Sequence, residues 1–310
     1  MSIIFHSAAQ EKLSITVAQD GSGDYKTIQE AVSACRAFQT AEKVIFIKNG
    51  IYKEKILVDS FLTHLKLIGE STEKTILSFD DFAGKENMGT FRSYTLKITG
   101  DDVVIENMTI ENSAGEVGQA VALHVEGDRC LFLNCRILGN QDTIYAAGQK
   151  SRQYFADCYI EGTTDFIFGA ATAIFDRCTI HSKRNSYITA ASTPQGKLFG
   201  YVFRSCKLTA SPDATRVYLG RPWRDYAKTV FLNCEMGEHI IPEGWHNWGK
   251  PEREKTSFYA EYQSTGSGAA PDKRVDWSHQ LSKKEAKKYQ TEIIFQEEST
   301  WIPIGIKPVR

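Results

Sequence analysis

Short stretches of alternating apolar and polar residues recur through the middle of the chain. The alternation is clearest in VVIENMTI (103–110), RCLFLNCRI (129–137) and TAIFDRCTI (172–180). A period of two is typical of β-strands, whose successive side chains point to opposite faces. Because each stretch is short and turn residues follow it, the pattern predicts many short strands.

A sulfur-containing residue recurs within these stretches, and each is followed two positions later by an aliphatic residue or methionine. The successive differences in residue number along this series are 27, 23, 20, 28 and 28. One short strand per period of this length is typical of a solenoid. The spacing therefore predicts an all-β fold, a single-stranded right-handed parallel β-helix. The residues of this predicted ladder are Met108, Cys135, Cys158, Cys178, Cys206 and Cys234.

The cysteines are expected to be buried thiols. The chain has seven, an odd number, and contains no CxxC or His/Cys cluster with zinc spacing. Free cysteine buries well as a small apolar residue. A ladder of thiols inside the coils is thus favoured over disulfides or a metal, and the sequence predicts no metal site and no cofactor.

Helical patterns near both ends predict caps over the open core. Thr27 and Glu30 have capping-box spacing, and Thr27 is followed by Ile28, Val32, Cys35 and Phe38 at helical intervals. Ser282 and Glu285 repeat the box. We expect one β-helix domain over residues 1–310, with an N-terminal cap at about 14–40 and a C-terminal extension and helix at about 255–310.

Charge and hydropathy narrow the class of partner. A formal net charge of −1 and a pI near 6.7 argue against nucleic acid, and the apolar runs are too short to cross a membrane. The N-terminal residues lack a basic start, a long apolar core and a cleavage site, so no signal peptide is visible. The sequence leaves two locations open: inside the cell, or outside it after removal of a signal.

Two aspartates share one position in neighbouring repeats. IEGTTDFIFG (160–169) matches ILGNQDTIYA (137–146) position by position, and the offset between them is the one that separates Cys158 from Cys135. Asp142 and Asp165 should therefore stack about 4.8 Å apart, one strand spacing. Two carboxyl groups that close are expected to titrate together and retain one proton near neutral pH, supplying an acid beside a base or nucleophile.

The alternative is that both aspartates are solvated turn residues. Their neighbours favour a site, because an amide, two aromatic rings and a cation beside an exposed aromatic suit a ring-shaped ligand. These neighbours are Gln141, Tyr145, Phe168, Arg221 and Trp223.

Four ordered motifs resemble those of the pectinesterase family of carbohydrate esterases. They are GQAVAL (118–123), GNQDTIYA (139–146), GTTDFIFG (162–169) and YLGRPW (218–223). The resemblance implies a right-handed parallel β-helix that hydrolyses the methyl esters of galacturonosyl units in pectin, giving pectate and methanol. It implies methyl-esterified pectin or oligogalacturonides as the partner and a monomeric enzyme, in a family that is mostly secreted.

The resemblance also implies roles for individual residues. Asp165 is expected to be the nucleophile, and Asp142 the general acid and base. Gln119 and Gln141 are expected to stabilise the oxyanion, and Arg221 to keep Asp165 ionised. Besides Gln119 and Arg221, the residues expected to contact substrate are Thr95, Tyr145, Phe168, Trp223 and Trp248.

Two rival functions are disfavoured by the same residues. A β-helix glycosidase or a calcium-dependent lyase would cut the polymer, and a lyase would need several acidic ligands where only the Asp142/Asp165 pair is expected. A non-catalytic carbohydrate-binding β-helix would be marked by loss of Asp142, Asp165 or Arg221, and all three are present. His239 and His246 are interpreted as exposed loop residues.

Overall fold

A computed structural model, which describes residues 13–296 and 301–303, shows a chain wound into stacked coils. The first thirteen strands, β1 to β13, are Leu13–Val17, Lys43–Ile47, Gly50–Lys53, Ile56–Val58, Leu65–Gly69, Thr75–Phe79, Leu96–Ile98, Val104–Glu106, Thr109–Asn112, Leu123–Val125, Cys130–Leu133, Arg136–Leu138 and Ile144–Ala146. Strands β14 to β26 are Arg152–Ala156, Tyr159–Gly162, Ile167–Gly169, Thr172–Asp176, Thr179–Ser182, Tyr187–Ala191, Tyr201–Arg204, Lys207–Ala210, Tyr218–Gly220, Lys228–Leu232, Glu235–Met236, Phe258–Tyr262 and His279–Gln280.

Three parallel sheets form the walls of the coil stack. The first sheet has eleven strands in the order β1-β2-β5-β8-β11-β14-β17-β20-β23-β25-β26. The second has eight strands, from β3 to β24, and the third has seven, from β4 to β22. Each central coil contributes one strand to each sheet, as a chain that climbs one strand spacing per turn must do. The predicted right-handed parallel β-helix is confirmed.

The sulfur ladder sets the register of the coils. In the second sheet, strand pairing joins Thr109, Arg136, Tyr159, Thr179, Lys207 and Glu235, and the steps between these residue numbers are the predicted ladder spacings. The five ladder cysteines and Met108 are buried, and all seven cysteines are free. Each ladder thiol donates to a carbonyl of the preceding coil, for example Cys158 Sγ to Phe132 O at 3.5 Å.

A column of phenylalanines fills the core beside the thiols. Successive ring centroids are 4.5, 4.7, 4.5 and 4.4 Å apart, and the rings are nearly parallel. All five rings are fully buried, and each contributes roughly 2–3 kcal/mol through loss of apolar surface to water. The column consists of Phe132, Phe155, Phe175, Phe203 and Phe231.

The corner between the first and second sheets contains one left-handed residue in six successive coils. Its φ lies between 49° and 55° at six successive corners, and its amide donates to a carbonyl of the next coil, as from Asn134 N to Ala156 O at 3.0 Å. Asn and Asp tolerate this conformation better than most side chains. The residues at these corners are Asn107, Asn134, Asp157, Arg177, Ser205 and Asn233.

Short helices lie near both ends of the described chain. Helix α1 is Ile28–Ala34, α2 is Lys283–Ala286 and α3 is Thr291–Ile294, and short 3-10 helices occupy Lys85–Asn87, Thr90–Arg92, Pro251–Lys255, Pro271–Lys273 and Lys287–Tyr289. Thr27 caps α1, and Ser282 and Glu285 form the predicted capping box. Within residues 13–296 and 301–303, no helix is long and apolar enough to cross a membrane.

The helical periodicity of the sequence predicts a longer α1 than the structure contains. The helix ends at Ala34, and Phe38, predicted on its apolar face, is 83% exposed with φ of 57°. Near the other end, Ile294 and Phe295 pack on the outer face of the first sheet, where Phe295 contacts Tyr154 edge to face. The termini of the predicted domain, residues 1–12 and 304–310, lie outside the described residues.

Candidate active site

Asp142 and Asp165 occupy equivalent corners between the second and third sheets. The strands that follow them pair Ile144 with Ile167 and Tyr145 with Phe168, which confirms the predicted alignment of the two motifs. Both aspartates have left-handed backbones, with φ of 66° and 49°. Their amides donate to the next coil, from Asp142 N to Thr164 O at 3.0 Å and from Asp165 N to Tyr187 O at 2.8 Å. Backbone bonding thus fixes both carboxyl groups on one side of the stack.

The two carboxyl groups are buried to the same extent but differ in protonation. Each aspartate is 6% exposed. Burial and the neighbouring charge of Asp165 raise the pKa of Asp142 to about 8, against opposing effects from Arg221 and a hydrogen bond from Gln119. Burial also raises the pKa of Asp165, but hydrogen bonds from Arg221 and its charge oppose that rise. Because Arg221 favours the ionised form of Asp165, a proton held by the pair is favoured on Asp142.

Arg221 bonds the Asp165 carboxylate with two parallel hydrogen bonds. Nε donates to Oδ1 at 2.9 Å and Nη2 donates to Oδ2 at 2.7 Å. Arg221 follows β22 and precedes Pro222, and its own amide donates to Thr189 O at 2.9 Å. A bidentate guanidinium both orients a carboxylate and favours its ionised form.

The two candidate oxyanion donors lie on adjacent coils beside Asp142. Gln119 and Gln141 form a parallel backbone bridge, with Ala120 N donating to Gln141 O at 3.1 Å. The Gln119 side chain lies near the Asp142 carboxyl, where it opposes the rise in the pKa of Asp142, and its amide oxygen accepts a hydrogen bond from Thr90 Oγ1 at 2.8 Å. Because the oxygen is occupied, the NH₂ group of Gln119 is directed towards the carboxyl pair.

Gln141 lies on the wall of a polar groove of about 240 Å³ that runs beside the two aspartates. An ion pair crosses it, with Arg184 Nε 3.1 Å from Glu116 Oε1. Polar groups make up most of its surface, which suits a hydroxyl-rich ligand. The lining residues are Glu116, Gly118, Asn140, Gln141, Thr163, Thr164 and Arg184.

Aromatic rings form a row on the other side of the aspartates. Tyr145 stacks on Phe168 and on Phe91, with 4.7 Å between centroids in each case, and Phe168 meets Trp223 edge to face at 5.7 Å. Phe168 is buried between Tyr145 and Trp223, so its contact with a ligand stays a prediction. The partly exposed rings of Tyr145, Trp223 and Phe91 offer a flat aromatic surface against which a sugar ring would pack.

Thr95 does not line this cleft, so that prediction is wrong. Its side chain is fully buried, and its hydroxyl donates to Glu111 O at 2.9 Å. Thr95 comes just before β7, on the side that faces into the coil. His239 is likewise buried, and burial lowers its pKa to about 4, which corrects the interpretation of an exposed loop residue.

Three residues of the site were not predicted from the sequence. Phe91 and Thr90 lie in a short helix beside the cleft and contact Tyr145 and Gln119. The ring of Tyr187 lies 3.9 Å from the Arg221 guanidinium, opposite that of Trp248 at 3.7 Å. The sequence carried no signal for Tyr187, because the third-sheet register that pairs Ile167 with Thr189 and places Tyr187 beside Asp165 is two residues longer than the ladder step between Tyr159 and Thr179.

Comparison with known proteins shows a family match over most of the chain. The family described as Pectinesterase matches residues 14–298. Pectinesterase 31 from Arabidopsis thaliana is 40% identical over 283 residues, covering 88% of this chain and 89% of its own. The structure of pectin methylesterase from carrot has a TM-score of 0.87 and 34% identity, covering 90% of this chain and 92% of its own.

A second solved structure is a pectin methylesterase mutant in complex with a hexasaccharide. It has a TM-score of 0.80 and 29% identity, and the match covers 93% of this chain and 98% of that one. Other curated relatives from Arabidopsis thaliana, whose names join pectinesterase to pectinesterase inhibitor, are longer. The chain spans 42%, 45% and 54% of three of them.

Proposed function

The chain belongs to the pectinesterase family, whose members are carboxylic ester hydrolases, and we propose that it hydrolyses methyl esters of galacturonosyl units in pectin through Asp165 and Asp142. The observation that carries the proposal is the unequal pair: a carboxylate bonded twice by Arg221 beside a carboxyl group with a raised pKa. One member is suited to attack, and the other to donate a proton.

In the first half of the reaction, ionised Asp165 is the nucleophile. A carboxylate oxygen attacks the ester carbonyl carbon, and the tetrahedral intermediate collapses to an anhydride between Asp165 and the galacturonosyl carboxyl group. The C–O bond to the methoxy group breaks, and Asp142 gives its proton to the departing oxygen, so that methanol leaves. Arg221 orients the attacking carboxylate and keeps it ionised.

Gln119 and Gln141 are proposed to stabilise the oxyanion of the tetrahedral intermediate. The support for Gln119 is its orientation, since Thr90 binds the amide oxygen and the NH₂ group faces the carboxyl pair. Gln141 is supported by its position beside Asp142 and its backbone bridge to Gln119. A donor aimed at a developing oxyanion lowers the activation free energy by roughly 3 kcal/mol.

In the second half, Asp142 acts as a base. Now ionised, it takes a proton from a water molecule that attacks the galacturonosyl carbonyl of the anhydride. The bond to Asp165 breaks, which leaves a free Asp165 carboxylate, a protonated Asp142 and a galacturonosyl carboxylic acid, and this acid releases its proton to solvent to give pectate. The site thereby returns to its starting protonation state.

The substrate is proposed to be methyl-esterified pectin or its oligogalacturonides. The polar groove and the aromatic row flank the aspartates on two sides, an arrangement that can hold sugar units next to the reacting ester. The hexasaccharide bound to a related pectin methylesterase supports an oligosaccharide ligand. We propose that a single copy suffices, because the site residues named above all come from one chain.

A methanol-release assay tests the reaction class. Highly methylated pectin and short methylated galacturonide oligomers are incubated with the protein, with and without a chelator, and reducing ends are followed in parallel. The esterase releases methanol without new chain ends and is indifferent to the chelator. New reducing ends would indicate a glycosidase, and calcium-dependent cleavage a lyase. No methanol from either substrate would contradict the proposal.

A further inference from the structure

The Arg221 guanidinium lies between two aromatic rings. Its Cζ is 3.9 Å from the ring centroid of Tyr187 and 3.7 Å from that of Trp248. Planar guanidinium groups stack favourably on aromatic faces, and such a contact restricts rotation of the plane. The Nε–H and Nη2–H groups that bond Asp165 belong to this plane. The rings therefore hold the group in the orientation that its bidentate contact needs.

Tyr187 joins Arg221 and Asp165 through different parts of one residue. Its backbone oxygen accepts the hydrogen bond from Asp165 N at 2.8 Å, while its ring packs on the guanidinium. Tyr187 begins β19, which pairs it with Tyr218 of β22, and the two rings stack 5.1 Å apart. Its position is thus fixed by the strand register as well as by ring stacking.

Trp248 reaches Arg221 from a strained loop. Its φ of 62° is unusual for a bulky side chain and persists only where surrounding contacts impose it. Its amide donates to His246 Nδ1 at 3.0 Å, and the next amide, Gly249 N, donates to Asn247 Oδ1 at 2.8 Å. The His246 ring also packs 5.4 Å from Tyr187. One histidine therefore contacts the Tyr187 ring and the backbone from which the Trp248 ring projects.

We propose that Tyr187 and Trp248 are positioning residues, which clamp the Arg221 guanidinium in the plane of the Asp165 carboxylate, with His246 as the support of both rings. This inference rests on the proposed function of Asp165. Without one ring, the guanidinium gains alternative orientations and its two hydrogen bonds weaken. The buried Asp165 carboxyl then keeps its desolvation but loses stabilisation of its charge, so its pKa rises further.

In the part of the chain that the structure describes, titratable groups face this arrangement from several elements, and one is Tyr218, whose ring stacks on Tyr187. Asp142 faces Asp165 from the preceding coil, Tyr259 lies within electrostatic range of Asp165, and the charge of Arg221 adds to burial in lowering the pKa of His246. Asp142 and His246 can therefore contribute to the same pH profile as Asp165. A direct readout of the Asp165 carboxyl separates its titration from theirs.

The test compares Tyr187→Leu and Trp248→Leu with the conservative variants Tyr187→Phe and Trp248→Phe. The control is Tyr159→Leu, which removes a ring stacked on His181, on the second sheet. The Leu variants are expected to lower kcat by about tenfold and to move the acid limb of kcat/KM up by about one pH unit. The Phe variants should keep kcat and the acid limb close to those of the unsubstituted protein, and the control variant should change neither.

Carbon-13 NMR of labelled aspartate, with Asp165→Asn to assign the signal, gives the Asp165 pKa without any turnover. A higher pKa in the Leu variants supports the clamp even if Asp165 proves not to be the nucleophile. An unchanged pKa, or a rise in KM alone with the acid limb fixed, would overturn it, because the rings would then contact only substrate. A lower melting temperature with an unchanged pKa and pH profile would also overturn it, leaving the rings a purely structural role.

Discussion

Asp142 and Asp165 have matching backbones and unequal charges. Both have a left-handed φ, both are 6% exposed, and the amide of each donates to a carbonyl of the next coil. Arg221 bonds Asp165 with its two forked N–H groups, whereas it acts on Asp142 only through its charge. A repeat thus supplies two equivalent carboxyl groups, and one arginine from a later coil makes them different.

Replacing the nucleophile should abolish methanol release and preserve the fold. Asp165→Ala removes the attacking oxygen, and we expect kcat to fall by at least about 10³-fold, with the circular dichroism spectrum unchanged. The matched control is Asp157→Ala, another left-handed corner aspartate that lies on the first-to-second sheet turn and pairs with Arg177. Near-normal turnover by Asp165→Ala would exclude Asp165 as nucleophile.

The rate should fall in alkaline solution because Asp142 must be protonated to donate to methoxide. Its pKa is raised to about 8, so kcat/KM is expected to decline above about pH 8. The acid limb reflects protonation of Asp165, whose pKa is also raised, and the profile is bell-shaped. A pH–rate profile free of methanol inhibition checks this. A basic limb absent up to about pH 9.5 would be incompatible with Asp142 as the acid.

The free energy of unfolding should depend on pH through the carboxyl group of Asp142. A carboxyl group with a raised pKa binds a proton more tightly in the folded state, so the free energy of unfolding falls as pH rises from about 4 to about 8. Asp142→Asn cannot ionise and should lose less stability over this range, by roughly 1–3 kcal/mol. Urea unfolding at about pH 5 and about pH 8 measures the difference. Equal losses in both proteins would contradict the raised pKa.

The fold and the aspartate pair were predictable because one register governs both. The step in residue number from Cys135 to Cys158 is also the step from Asp142 to Asp165, and a local pattern therefore carried long-range information. The next coil breaks this equality. The second sheet advances from Tyr159 to Thr179, whereas the third advances from Ile167 to Thr189, a step that is longer by two.

This difference explains why Tyr187 was missed. The sulfur ladder places Asn185 beside Asp165, but the turn before β19 is longer by two and brings Tyr187 there instead. The same limit applied to Thr95 and His239, since alternation and loop composition do not specify which way a side chain points. Those orientations follow from packing against coils distant in sequence.

The thiol ladder predicts chemical inertness in the native state. Burial raises the pKa of the ladder thiols Cys135, Cys158, Cys178 and Cys206, and all seven cysteines are buried and free. Because thiolates are the reactive form, an aromatic disulfide reagent should label none of them in the folded protein and seven after denaturation. Rapid labelling of a ladder cysteine under native conditions, assigned by peptide mass spectrometry, would show that the ladder opens.

The two threonines of TFRSYT should have opposite effects when the hydroxyl is removed. Thr90 Oγ1 donates to Gln119 Oε1 at 2.8 Å, whereas Thr95 Oγ1 donates to the backbone oxygen of Glu111 at 2.9 Å inside the coil. Thr90→Val frees the Gln119 amide to rotate, and we expect kcat to fall by about tenfold with little change in stability. Thr95→Val leaves a buried carbonyl without that donor and should cost roughly 1–2 kcal/mol of stability while kcat and KM stay unchanged.

The pair acts as its own control, because both substitutions replace the same hydroxyl with a methyl group within one short segment. Steady-state kinetics and urea unfolding give a rate and a free energy of unfolding for each variant. The geometry predicts a lower kcat in Thr90→Val only, and a lower free energy of unfolding in Thr95→Val only. A higher KM in Thr95→Val would indicate that the Thr95 side chain contacts substrate. A kcat unaffected by Thr90→Val would show that the orientation of the Gln119 amide does not depend on its hydrogen bond from Thr90.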